Sequence, residues 1–219
     1  MDTKVQFQKS ATILSANGKQ LGSLERVVVN PSTRVLTDIV VRTGALLNQE
    51  EKVVPIGLVA ETNRSQIVLR EEAGELKAFP PFEEQHIVSE KRNITPSSSG
   101  ESSPSVIVGY PALGTPVVQA PSEKRIVTHV EQNIPEGTVA MKEGAKVITA
   151  EGKNIGSVER VLADPMVDQV TDLLVSRGLF TKEAKLIPIH WVMSMGEDKV
   201  HLRVSRESVD GLDSIPLAG

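Results

Sequence analysis

The 219-residue chain contains no cysteine. A disulfide scaffold, a Cys-ligated zinc site, an iron–sulfur cluster and a thiol nucleophile are all excluded by that absence. Aromatic residues are scarce at 3%. Phe7, Phe79, Phe82, Tyr110, Phe180 and Trp191 are too scattered to form a platform on which nucleobases stack. No apolar run approaches the roughly 18 residues needed to cross a bilayer as a helix. Met1–Ser10 has no apolar core of the kind a secretory signal carries, so the reading predicts a soluble, cytoplasmic protein without membrane insertion. Acids and bases nearly balance, 28 against 24, for a net charge of -4. Binding of nucleic acid through bulk positive charge is disfavoured by that balance. What remains is an ordinary soluble composition with 39% hydrophobic residues, mostly aliphatic.

The chain repeats itself. Ala16–Val27 (ANGKQLGSLERV) matches Ala150–Val161 (AEGKNIGSVERV), an offset of 134 positions. Asn30-Pro31 aligns with Asp164-Pro165, Thr37-Asp38 with Thr171-Asp172, and Gly44 with Gly178. After a one-residue deletion, Lys52–Ile56 aligns with Lys185–Ile189 and Leu69-Arg70 with Leu202-Arg203. About a third of roughly 60 paired positions are identical, which chance does not produce with a single gap.

Both repeats read as β. Ala11–Ala16 and Ala145–Ala150 are short strands, and Asn17-Gly18 and Glu151-Gly152 supply the positive φ of a hairpin turn. In the next strand, Leu21–Val29, period-2 alternation puts Leu21, Ser23, Glu25, Val27 and Val29 on one face. Leu24, Arg26 and Val28 then lie on the other. Asn30-Pro31 and Asp164-Pro165 break these strands. Val35–Arg42 and Gln169–Ser176 follow, then Glu51–Val54 and Lys185–Ile187. The last hairpins are Leu58–Glu61 with Gln66–Arg70, and Trp191–Ser194 with Lys199–Val204. Glu71–Ala78 and Arg206–Leu212 are candidate helical turns, the second capped by Ser205. Five or six short strands are too few for an immunoglobulin-type sandwich and suit a small twisted barrel. Such a unit is marginal alone, so the two are expected to pack together. The predicted fold is all-β: two small barrels related by internal duplication, 5–78 and 138–212. Residues 79–137 join them, with a Pro/Ser-rich stretch, 93–125, too polar to order itself. Ile87-Val88 and Ile126–Thr128 are candidates for an extra strand pair.

Gly-Lys-x-x-Gly-x-x-x-x-Val, then Asn/Asp-Pro, then Thr-Asp-hydrophobic-x-Val, then Lys-x-x-Pro-hydrophobic resembles the PRC-barrel family, in both repeats and over about two-thirds of the chain. That domain occurs in the photosynthetic reaction-centre H subunit and in a bacterial ribosome-maturation factor. The layout, with Glu131–Ala140 before the second repeat, is similar to stand-alone tandem PRC-barrel proteins of bacteria. The resemblance implies a barrel acting as an adaptor and leaves its partner open. The H subunit's membrane helix and the maturation factor's RNA-associated domain have no counterpart in this reading, so neither role transfers directly.

Seven residues are candidate partner-binding positions: Glu25, Arg26, Glu159, Arg160, Asp38, Asp172 and Trp191. The recurring Glu-Arg pairs are a duplicated docking spot or, the favoured reading, charges that blunt a strand edge. The recurring Asp residues are a shared acidic site or, again favoured, caps on turns and backbone N–H groups. Trp191, Met193, Met195 and Phe180 form a partner patch or, as favoured, part of the core between barrels. His190 and His201 lie near Asp198, but a metal needs three or four convergent ligands and the first repeat has Gly57 and Val68 there. No nucleophile-elbow, phosphate-loop or dinucleotide fingerprint is present. The reading therefore predicts no enzyme, no catalytic or metal residues and no cofactor. It predicts an adaptor for an unknown protein partner, with the cytoplasmic face of a membrane complex as one place for it and a homodimer allowed. The alternatives are a ribosome- or RNA-associated factor and a reaction-centre accessory role.

Overall fold

The computed structural model describes residues 4–8, 10–44, 48–63, 65–91, 124–142, 144–176 and 183–216, and only the backbone of 86–91 and 124–129. The protein is all-β, with seventeen strands and one short α-helix among those residues. Residues 85–131 form a compact unit of their own. Their strands β8 (Glu83–Lys91) and β9 (Lys124–Gln132) pair with each other, as the apolar flanks of the connection suggested. The Pro/Ser-rich stretch between them lies outside the described residues.

The other unit holds both repeats. In the first, β2 (Thr12–Leu14), β3 (Gln20–Val29), β4 (Leu36–Thr43), β5 (Glu50–Pro55), β6 (Val59–Thr62) and β7 (Gln66–Leu69) pair in the order β5-β4-β3-β2-β7-β6. The β2–β7 contact is parallel and the others are antiparallel. The second repeat builds the same order with β11 (Lys146–Ile148), β12 (Asn154–Asp164), β13 (Gln169–Ser176), β14 (Glu183–Pro188), β15 (Val192–Met195) and β16 (Lys199–Leu202), plus an edge strand β17 (Ser214–Pro216). Turn chemistry follows the sequence. Gly18 and Gly152 take φ of 81° and 78° in the hairpin turns. Asn30 Oδ1 accepts from the N–H of Ser32 and Thr33, and Asp164 Oδ1 from that of Met166.

Two strands depart from the expected boundaries. β1 (Val5–Gln8) pairs with β12, and β10 (Val139–Lys142) pairs with β3. Each repeat thus lends its leading strand to the other's sheet, in equivalent registers: Phe7 faces Val161, and Met141 faces Val27. A bridge between Val35 and Gln169, which are themselves equivalent positions, marks the pseudo-twofold. Around it Leu36 N–H donates to Asp168 O at 2.8 Å and Val170 N–H to Arg34 O at 2.9 Å. One continuous core results, holding Phe7, Ile13, Leu24, Val27, Ile39 and Ile67 with Met141, Val161, Leu173, Ile187 and Leu202.

The simple alternation expected for β3 fails at one residue. Glu25 is a β-bulge: Leu24 faces Val41 while Arg26 faces Val40. The extra residue brings Leu24 onto the same inner face as Val27 and Val29. Glu159 is the matching bulge in β12, and Thr37 and Thr171 mark a second matching pair. The repeated bulges supply the bend that wraps a six-strand sheet around a small core. Glycine makes a close approach possible nearby. A Cβ on Gly22 would lie 2.2 Å from Arg42 O, and one on Gly156 2.0 Å from Ser176 O. Glu71–Ala78 forms two separate 3-10 turns, Glu71–Ala73 and Leu76–Ala78, because Gly74 enters positive φ at 58° between them. The helix α1 (Arg206–Asp210) is capped by Ser205, whose side chain accepts from Ser208 N–H.

Candidate functional site

The recurring polar residues cluster on the outer faces of the two sheets. On the first repeat that face carries Val28, Val40, Val53 and Ala140, all buried. Phe82 closes it at 1% exposure, with Ile134 packed alongside. Local hydrogen bonds hold this cover in place. Phe82 N–H donates to Glu51 O at 2.8 Å, and Asn133 donates through its backbone to Phe82 O and through Nδ2 to Pro81 O, both at 2.9 Å.

Arg26 lies under the same cover. It is 7% exposed, with its guanidinium 4.6 Å from the centre of the Phe82 ring. Its Nε is 3.3 Å from Glu51 and its Nη1 3.6 Å from Glu197. Glu25 pairs with Arg42. The Glu25-Arg26 pair is therefore not a charge pair on a sheet edge, as the sequence suggested. It sits on a central strand, and Arg26 is enclosed by its own chain. In the second repeat Glu159 accepts from the Ser176 hydroxyl, and half-buried Arg160 donates to Gln6 Oε1 at 3.4 Å.

Asp38 and Asp172 occupy equivalent outward positions, and neither serves as the expected cap. Asp172 pairs with Lys4 at 2.5 Å. Asp38 is 7% exposed and its Oδ2 has no hydrogen-bond partner. Burial pushes its carboxyl above the ordinary range, and the Thr37 hydroxyl pulls the other way without reaching ordinary hydrogen-bond geometry. The two aspartates do not meet in one acidic site. They lie on separate sheets, β4 and β13.

Trp191 is partly buried and packs on the shared core together with Met195. Its ring meets His190 edge-on at 6.3 Å. Met193, grouped with them in sequence, is 64% exposed, and Phe180 lies outside the described residues. Among the described residues no three histidine or carboxylate groups converge as metal ligands. A cleft of about 200 Å³ opens beside α1, lined by Ile155, Val175, Ile187, Val209, Lys185 and Asp210. It is smaller than a typical ligand pocket of about 300–1,000 Å³. Lys185 Nζ is already committed to the carbonyls of Asp210 and Leu212, at 2.9 and 2.6 Å.

This second sheet, with its Gly156 approach, Glu159 bulge and capped α1, is the part of the chain that comparison places. Residues 143–209 match the PRC-barrel domain. The match covers about a third of the chain. No curated protein matches the sequence. Within the PRC-barrel match, Gly156, Glu159, Arg160 and Asp172 all fall on the frame of the sheet, and none lies in the cleft. Phe82, Ile134, Glu51 and Glu197 were not recognised from sequence as one network. Extending the repeat alignment past Leu69-Arg70 would have found part of it, because Phe82 then falls opposite Ile215.

Proposed function

We propose that the protein is a non-catalytic adaptor that holds a protein partner on its barrel surfaces, and that residues 11–78 form a second, diverged PRC barrel. The observation carrying this reading is the use made of the recurring polar residues. They shape bulges and internal pairs, and the polar cavity that Arg26, Glu51 and Lys52 line in the first repeat is not built from the same residues in the second, where Ala184 stands in the place of Glu51. A frame retained in both repeats without common chemistry is suited to presenting surface. Cations answer acids on that frame: Lys4 with Asp172, Arg42 with Glu25, Lys52 with Glu50, Lys142 with Asp198, and Arg206 with Asp210. That arrangement supports a protein partner over RNA, which calls for clustered unneutralised bases.

The test is affinity capture from host lysate with the intact chain, with membranes solubilised and with or without nuclease. A reproducible, nuclease-resistant protein partner is expected. Ribosomal components lost on nuclease treatment would overturn the reading in favour of RNA association. A membrane-complex subunit among the captured proteins would place the adaptor at that surface.

A further inference from the structure

The two repeats fill the space beside their last helical turn differently. Ile155, Val175 and Ile187 line the cleft beside α1, where the first repeat has Leu21, Val41 and Val54. Val209 and Leu212 stand where the first repeat has Leu76 and Phe79. One hydrogen bond recurs at both places: Phe79 N–H donates to Leu76 O and Leu212 N–H to Val209 O, each at 3.1 Å. Leu76 is buried, and Phe79 packs on the core. With a smaller side chain at both positions, the second repeat keeps a cleft of about 200 Å³. Protein interiors ordinarily close such spaces, but here the roof is propped. Lys185 Nζ donates to the carbonyls of Asp210 and Leu212, which ties the end of α1 to β14. Its counterpart Lys52 pairs instead with Glu50, at 3.2 Å. Glu183, the counterpart of Glu50, is exposed on the wall of the cleft.

We propose that this cleft seats one phenylalanine side chain of a protein partner, with a basic residue beside it in the partner's chain. The proposal rests on the adaptor reading and names its contact point. Size selects a single ring. An apolar cavity of about 150 Å³ already takes benzene, and 200 Å³ adds room for little more than a Cβ. The first repeat supplies the template, since its own Phe79 occupies the place that Leu212 fills less fully. Charge selects the neighbour. Lys52 answers Glu50 in the first repeat, whereas Lys185 is turned to the roof, and a partner's cation fits beside Glu183. A seat formed in advance costs no rearrangement, so one anchoring side chain can carry much of the affinity of an interface.

The probes are the capped dipeptides N-acetyl-Phe-Lys-amide, N-acetyl-Ala-Lys-amide and N-acetyl-Phe-Glu-amide, titrated into the intact protein and followed by methyl NMR. Saturable shifts at Ile155, Val175, Ile187 and Val209 are expected with the first. Its Kd should be about 10⁻³ M, as suits so small a ligand. Loss of the ring should weaken binding at least about tenfold, and Glu in place of Lys about twofold. Val209→Leu with Leu212→Phe copies the first repeat and should abolish the shifts. Glu183→Lys, at an exposed position, should reverse the order of the Lys and Glu probes. No shifts at the cleft with millimolar N-acetyl-Phe-Lys-amide, or shifts that persist in the folded double variant, would overturn the seat. So would sedimentation in which the wild type pairs with a second copy and the double variant does not. A probe order that Glu183→Lys leaves unchanged would overturn the basic neighbour. In capture from lysate, a protein held by the wild type and lost with the double variant is expected. A protein captured equally by both would remove the seat and leave the adaptor reading intact. Probe binding at the cleft with no protein captured would remove the adaptor reading alone.

Discussion

The outer faces of the two repeats share strand order, bulges and a central Arg, yet differ in how they are finished. On the first, Phe82 and Ile134 seal four small apolar residues, and Glu51 and Glu197 answer Arg26. On the second, larger leucines fill part of the same space, Ile215 is 38% exposed, and Ala184 replaces the acid. The two repeats share one frame, and the segments that follow them differ in how far they cover its outer face.

The most direct way to break this comparison is to remove the cover. Phe82→Ala should cost about 3–4 kcal/mol, because it opens a cavity over a buried cluster and strips the ring from Arg26. Ile215→Ala should cost about 1 kcal/mol or less. Urea denaturation of the two variants checks the difference, and equal losses would show that both faces are equally closed. Next in size is the central arginine. Arg26→Ala leaves the half-buried Glu51 without its partner and should cost about 2–3 kcal/mol, whereas Arg160→Ala should cost about 1 kcal/mol or less. Midpoints in urea decide that as well.

The glycines sharpen the shared part. Gly22→Ala and Gly156→Ala each drive a Cβ against a facing carbonyl, so each should cost about 2 kcal/mol. Loss in thermal unfolding is expected at both sites and is larger at Gly156, whose φ of 145° adds a backbone strain that Gly22 does not carry. A larger loss at Gly22 would contradict that order.

The smallest effect separates the two aspartates. Burial raises Asp38 in the folded state, so the folded protein holds that proton more tightly than the unfolded chain. The resulting stability is fully present below the unfolded carboxylate value and is lost as pH rises through the folded one. Asp38→Asn should therefore stabilise the protein near neutral pH and remove this fall. Asp172→Asn should instead cost up to about 1 kcal/mol, through loss of the Lys4 pair. Tm measured from pH 4 to 8 for both variants distinguishes them, and destabilisation by Asp38→Asn at pH 7 would contradict the burial argument.

Much of the fold was legible because hairpins announce themselves locally. Alternating Val and Ile, Asn-Gly and Glu-Gly turns, and Asn/Asp-Pro breaks placed every strand from β2 to β7 and from β11 to β16 close to where it lies. The bulge at Glu25 was not legible, because one inserted residue changes which side chains face inward without changing the residue pattern itself. Of the candidate site, the recurring Glu-Arg and Thr-Asp pairs were found, but their roles were not. Enclosure of Arg26 depends on Phe82, 56 positions away, and on Glu197, 171 positions away.

The sequence by itself showed the repeated pattern, and it determined the β class, the hairpin turns and the glycines, since these depend on neighbours along the chain. Tertiary structure alone decided that β1 and β10 cross to the opposite sheets and that one core spans both repeats. The physical reason is that a strand's period of two states which side is buried and says nothing about which edge will receive its hydrogen bonds.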